Sequence, residues 1–338
     1  MRAISLRGPG QVEIVEIAEP EPGPEEVLIA ISCVGLCGSD LNAYRGLSPM
    51  VTYPRIPGHE VGGVVMGKGD RVPPTIEPGA RVTVSPYSEC GSCPACRVGR
   101  ANCCQFNETM GVQRDGALTE RIAIHHSKVF VSAGLSGEEL ALVEPLSVGY
   151  HAANRGRVCE GDCVLVLGCG TIGLGAIAAA ARKGATVIAL DVDDAKLELA
   201  RKLGAGDTIN SEREDARQRI ADLTNKEGVS VAIEAVGLAA TYQLAVEAVA
   251  FAGRVVCVGY AKDEVPLPTR LFVSKELDVL GSRNSLGVFP NVIRMLEERQ
   301  RPFTDLITRV TPMAETAQAF AEWAAAPGKF TKILVRVA

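Results

Sequence analysis

The chain has 338 residues, 47% of them hydrophobic, with 35 Lys and Arg against 40 Asp and Glu and a net charge of -5. That length fits about two domains; the apolar share excludes global disorder, and the scattered cations exclude a basic face for nucleic acid or a cationic surface for a membrane. No run of about 18 apolar residues is present, and Met1-Arg2-Ala3-Ile4-Ser5-Leu6-Arg7 has no secretory h-region, so a cytoplasmic protein is expected.

The first third alternates short β-type runs with Gly and Pro turns. Val27-Leu28-Ile29-Ala30-Ile31, Val61 to Val65, Arg81-Val82-Thr83-Val84 and Arg121-Ile122-Ala123-Ile124 predict a strand-rich, Greek-key-like or barrel-like unit. The texture changes near Glu144. Val164-Leu165-Val166-Leu167 reads as a buried parallel strand, followed by a small-residue helix from about Thr171 to Lys183 that stops at Gly184. A second strand, Val187-Ile188-Ala189-Leu190, leads into a helix from Ala195 to Leu203. The alternation continues through Val231-Ala232-Ile233, a helix near Thr241 to Phe251, and Val255-Val256-Cys257-Val258. This pattern builds a doubly wound parallel sheet. Beyond about Leu280 come helices near Pro290 to Glu298 and Ala314 to Ala324, and a last strand over Lys332 to Val337.

Gly168-Cys169-Gly170-Thr171-Ile172-Gly173 fits the glycine-rich dinucleotide loop and lies between a strand and a helix, the context the motif requires. Gly168 permits the turn, Gly170 lets backbone approach a pyrophosphate, and Gly173 lets helix and strand pack closely. The helix start at Thr171 and Ile172 offers amides to that group. Asp191 closes the second strand and is placed to accept both hydroxyls of an adenosine ribose. No Arg follows in Val192-Asp193-Asp194, so NAD is expected over NADP. Lys196 is a second residue for the adenine ribose, or a solvated helix residue. The plainer alternative is a turn with Asp191 as a helix cap.

Eleven cysteines in a long chain without a signal point to metal or thiol chemistry. Cys90, Cys93, Cys96 and Cys104 form C-x2-C-x2-C-x7-C, a spacing that lets four thiolates close a tetrahedron about a structural zinc. An iron–sulfur cluster uses a related ligand set, and Cys103 is an alternative fourth ligand. Cys37-Gly38-Ser39-Asp40, Gly58-His59-Glu60 and Glu144-Pro145 supply a Cys, a His and carboxylates, a set that holds catalytic zinc with one position open. Singly, Cys37 also reads as core, His59 as a turn residue and Glu144 as a helix-start acid. His125, His126 and His151 show no ligand spacing.

In this order, these motifs together with Glu144-Pro145-Leu146-Ser147-Val148-Gly149 resemble the medium-chain zinc-dependent alcohol dehydrogenase family over essentially the whole chain. The resemblance implies an α/β fold: a GroES-like β-rich catalytic domain over 1–146, with the structural-zinc lobe at about 88–106, a Rossmann NAD-binding domain over 147–283, and a return to the catalytic domain over 284–338. It implies that the nicotinamide lies in the cleft between domains and that Cys37, His59 and either Glu60 or Glu144 carry the catalytic zinc. In polyol-type relatives the first carboxylate ligates while the second holds the zinc-bound water, and the two exchange. Ser39 matches the hydroxyl that takes the substrate proton. Many relatives have a relay His three residues later, where this chain has Asn42, an amide that is no general base. The outer route then runs through water, Glu60, Glu144 or Tyr44, or directly to solvent.

The segment Tyr53 to Glu60 and Gly281-Ser282-Arg283-Asn284 look most like bacterial sugar-acid dehydrogenases that oxidise the C5 hydroxyl of L-galactonate or L-gulonate. Arg283 can fork a substrate carboxylate, and Asn284 can bond hydroxyls; Arg283 can equally bind cofactor phosphates or a backbone carbonyl. Sorbitol, galactitol-phosphate, cyclitol and threonine dehydrogenases are alternatives within the class. A non-catalytic nucleotide-binding scaffold is the alternative outside it. A small polyhydroxylated substrate and a homodimer or homotetramer are expected, with no nucleic-acid or membrane partner.

Overall fold

The structure is a computed structural model that describes residues 1–337. Its chain forms two compact units, Met1–Glu144 joined by the segment from Phe289 onward, and Pro145–Val288. The divisions fall between Glu144 and Pro145, where 146/147 was expected, and between Val288 and Phe289, where 283/284 was expected. The first lies inside the helix Val143–Arg155.

In the first unit, alternating buried residues along Glu26–Leu36 (Val27, Ile29, Ile31) face a core shared with Val61, Val65, Val82 and Phe320. This period-2 burial is why the chain forms strands here. The sheet path runs Ile307–Pro312, Lys332–Arg336, Glu26–Leu36, Glu60–Lys68, Arg81–Val84 and Val129–Val131, and Arg121–His125 also pairs with Glu26–Leu36. A hairpin, Arg2–Gly8 with Gln11–Glu16, stands beside it. The late strand Lys332–Arg336 pairs antiparallel with the early strand Glu26–Leu36, so two distant chain segments build one sheet.

The second unit is a six-stranded parallel sheet in the order Asp207–Asn210, Thr186–Asp191, Cys163–Leu167, Val229–Glu234, Val249–Cys257, Asp278–Gly281. Its order reverses beside Cys163–Leu167, the switch point at which open α/β sheets bind ligands. Helices Thr171–Arg182, Asp194–Leu203 and Ala239–Ala248 connect the strands. The third helix ends earlier than the alanine-rich sequence suggests. Val249 to Phe251 instead begin a strand, because Val249 finds a ladder partner in Val229; pairing overrides local propensity. Among the described residues, no helix is long and apolar enough to cross a membrane.

Candidate metal centres and nucleotide-binding loop

The four-cysteine lobe lacks an apolar core. Its regular structure is one turn of helix, Pro94–Arg97, and the 3-10 turn Ala101–Cys103. Ligand atoms of Cys90, Cys93, Cys96 and Cys104 nevertheless all lie within 4.8 Å of one another. The Cys93 and Cys104 sulfurs are 3.9 Å apart, close to the edge of about 3.8 Å that a tetrahedron with metal–sulfur bonds of about 2.3 Å requires. Backbone amides of Cys90 and Phe106 point at the Cys104 sulfur, both at 3.4 Å, and the Cys93 amide points at Cys90 at 3.3 Å. Such amides stabilise thiolates. The Ser92 hydroxyl and amide, with the Cys93 amide, lower the Cys90 pKa to about 6. Cys103 stays outside the group and accepts from Arg100 instead. This lobe fits a tetrahedral thiophilic ion.

A second group, Cys37, His59 and Glu60, also converges within 4.8 Å. Cys37 caps the helix Gly38–Tyr44, and Glu60 opens the strand Glu60–Lys68. Buried Asp40 joins the two segments. One carboxylate oxygen accepts from the Cys37 amide at 2.9 Å, and the other accepts from the Gly58 amide at 3.4 Å. His59 is buried, and its Nδ1 has no partner; the Ser39 hydroxyl is likewise unpartnered. Burial would lower the His59 pKa, but Cys37, Asp40 and Glu144 outweigh it and hold it well above the usual value. Buried polar atoms with no protein partner beside a Cys and a carboxylate, one of them an imidazole nitrogen with a lone pair to offer, are the composition a zinc ion would complete.

Each carboxylate has its own holder. Glu60 is fully buried, and its oxygens lie 2.6 and 2.7 Å from Lys332 Nζ, which also donates to the Leu36 carbonyl at 3.1 Å. Gly35 makes room for this arrangement: a Cβ there would stand 2.0 Å from Glu60 Oε2. Glu144 accepts a hydrogen bond from the buried Tyr87 hydroxyl. Burial, then Glu144 itself, pushes the Tyr87 pKa well up, so Tyr87 stays a donor. Asn42 is exposed, and Tyr44 stacks on Phe320 with centroids 5.2 Å apart.

In the second unit, Gly168 has φ +95°, and a Cβ on Gly173 would stand 1.8 Å from the Gly168 carbonyl oxygen. Gly170, by contrast, faces open space and caps the helix Thr171–Arg182 without a side-chain bond. A helix N-terminus at this point turns its partial positive charge toward an anion. Asp191 accepts from the amides of Cys169 (2.6 Å), Val192 (2.8 Å) and Asp193 (3.1 Å), which fixes its carboxylate at the strand end. Lys196 is half-buried in the first turn of the next helix.

Residues 23–133 match the alcohol dehydrogenase GroES-like domain, and residues 171–298 match the zinc-binding dehydrogenase domain. The chain belongs to the zinc-dependent medium-chain alcohol dehydrogenase family. Within it, relatives of the polyol and sugar-acid branch run through nearly the whole chain. A sorbitol dehydrogenase from Bacillus subtilis is 36% identical over 94% of this chain and 92% of its own. An L-galactonate-5-dehydrogenase from Escherichia coli is 34% identical over 89% and 88%. The crystal structure of galactitol-1-phosphate dehydrogenase from Escherichia coli superposes with a TM-score of 0.92 at 30% identity, covering 100% of both chains.

This zinc-type alcohol dehydrogenase therefore has the α/β architecture of a GroES-like domain and a Rossmann-like sheet. Its membership favours the enzyme over a nucleotide-binding scaffold. Three further residues surround its candidate metal centre: Asp40, Tyr87 and Lys332. In the sequence Asp40 had a signal, as the third helical residue after Cys37 in a capping box. Tyr87 and Lys332 had none, because their partners lie 57 and 272 residues away. Arg283 is exposed and Asn284 half-buried with φ +50°, both just past the strand Asp278–Gly281 in the second unit.

Proposed function

We propose that the protein is a cytoplasmic, NAD-linked enzyme that oxidises a secondary alcohol of a polyol or sugar acid, with L-galactonate or L-gulonate as the leading substrates. The convergence of Cys37, His59 and Glu60 beside the unpartnered Ser39 hydroxyl carries this reading. Cys37 and His59, with Glu60 or Glu144, hold the catalytic zinc, and Cys90, Cys93, Cys96 and Cys104 hold the structural zinc. When bound, zinc supplies the Lewis acidity that acidifies an alcohol hydroxyl, and NAD supplies the hydride acceptor. Ser39 takes the proton. Lys332 and Tyr87 keep the two carboxylates apart, so that one serves the metal while the other orders solvent. Gly168, Gly170, Thr171, Ile172 and Gly173 seat the pyrophosphate, and Asp191 and Lys196 the adenosine ribose. Eleven free thiols suit a reducing compartment.

For the substrate, Arg283 pairs with a carboxylate and Asn284 with hydroxyls. Purified enzyme with NAD is assayed for reduced nicotinamide on L-galactonate, L-gulonate, sorbitol, galactitol 1-phosphate, a cyclitol and threonine. A hexonate should give the highest kcat/KM, and Arg283→Ala should lower it by about tenfold or more for acids while sparing sorbitol. Activity confined to simple primary alcohols would end the polyol reading. Preference for sorbitol, the substrate in the name of the Bacillus subtilis relative, would remove Arg283 from the account.

A further inference from the structure

At the carboxyl edge of the parallel sheet two neighbouring strands end side by side. Asp191 pairs in register with Asn210, the last residue of its strand. The chain beyond Asn210 then folds against the chain beyond Asp191. The Ser211 amide donates to the Asp191 carbonyl at 3.1 Å. The buried Asn210 side-chain amide donates to the Val192 carbonyl at 3.2 Å and to one Asp194 carboxylate oxygen at 2.6 Å. The other Asp194 oxygen lies 2.7 Å from Arg213 Nη1.

This arrangement changes the charge balance at the ribose end. Along the sequence, no arginine follows Asp191 closely. In space, the next strand's turn delivers Arg213 to the same edge, where a nearby arginine is what accommodates a 2′-phosphate in this fold. Asp194 meets that arginine first, and Asn210 anchors Asp194 from the buried side. Of the neighbouring acids, Asp193 takes the amides of Ala195 and Lys196, and Glu214 takes the Asn210 amide and lies 3.6 Å from Arg219. Lys196 remains as a cation on the first helical turn, but it does not pair with Asp194.

We propose that Asp194 is a second determinant of cofactor choice, acting by pairing with Arg213 and withholding it from a 2′-phosphate. The proposal rests on the NAD reading above and adds that Asp191 alone does not set the preference. A carboxylate at 194 repels the phosphate directly and also neutralises the cation that would receive it. An exposed ion pair contributes little to stability, so its removal spares the fold.

The test is equilibrium binding of NADH and NADPH to the full-length, zinc-loaded protein, followed by nicotinamide fluorescence. Asp194→Asn should tighten NADPH about fivefold while NADH moves less than about twofold. Asp191→Ser should weaken NADH about tenfold with little gain for NADPH, and the double variant should prefer NADPH. Adding Arg213→Gln to Asp194→Asn should erase the gain, an effect that a general loosening of the edge would not produce. The proposal is overturned if Asp194→Asn leaves NADPH affinity unchanged, if the gain survives Arg213→Gln, or if Asp191→Ser alone already prefers NADPH. A wild-type protein that binds NADPH as tightly as NADH would instead remove the NAD reading itself.

Discussion

Lys332 and Glu60 show how much a single buried pair can govern. Both side chains are nearly inaccessible, at 4% and 0% exposure. Burial would lower the lysine pKa, but Glu60, then Cys37, reverse the shift and keep the ammonium charged. Removing one member of such a pair strands the other charge, at a cost of about 3–5 kcal/mol. Lys332→Met should therefore lower the melting temperature sharply, as read by calorimetry, and Lys332→Arg should recover part of the loss. Gly35→Ala probes the same carboxylate from the other side. Its Cβ would displace Glu60, so elemental analysis should find the catalytic zinc lost and the cysteine-lobe zinc retained. At this scale the sequence was legible wherever chemistry is carried by short motifs. Cys37, His59 and Glu60 stand out because they fall in two compact strings, Cys37-Gly38-Ser39-Asp40 and Gly58-His59-Glu60. Lys332 is an ordinary strand residue until the fold brings it to Glu60.

Two elements depend on what lies beyond their own residues. The four-cysteine lobe buries only Cys93, Cys104 and Asn102 of its short turns, so a bound metal would be its main source of order. Cys104→Ser should open residues 88–106 to limited proteolysis while both sheets stay folded; a lobe as resistant as wild type would show that it holds itself together without the metal. The strand Asp278–Gly281 forms the edge of the parallel sheet and pairs with Val249–Cys257. Val279 is 40% exposed on it, and Phe251 and Val273 stand exposed in the same unit. Edges of this kind invite strand addition. Pairing of this edge with a second copy of the chain is open to a direct test. Val279→Pro should shift light-scattering mass toward the monomer, and an unchanged mass would move the contact elsewhere. The helix–strand alternation was readable here from continuous apolar runs and glycine stops. The strand start at Val249 was not, because its ladder partner is set by tertiary pairing.

For the whole molecule, the two units have separate cores. One is built around Val27, Ile31, Val61 and Phe320, the other around Leu165, Ile188, Ala232 and Val255. The change of texture near Glu144 made this division visible from the sequence, since period-2 strands give way to buried parallel strands. The return of the chain to the first unit was implied by resemblance alone, as no local pattern states which sheet a late strand joins. A chain ending before Lys332 should keep a cooperative thermal transition for the second unit and lose that of the first.

The long separation of Glu60 from its lysine also sets an order of events in time. Synthesis proceeds at roughly 5–20 residues per second, so the 272 residues between them take roughly 14–54 s to make. Throughout that interval the carboxylate exists without its counter-ion, and the strand that delivers it has not been made. The parallel sheet of the second unit, whose strands all lie before Lys332, can assemble meanwhile. In the newborn chain the nucleotide loop can thus be complete while Glu60 still lacks Lys332.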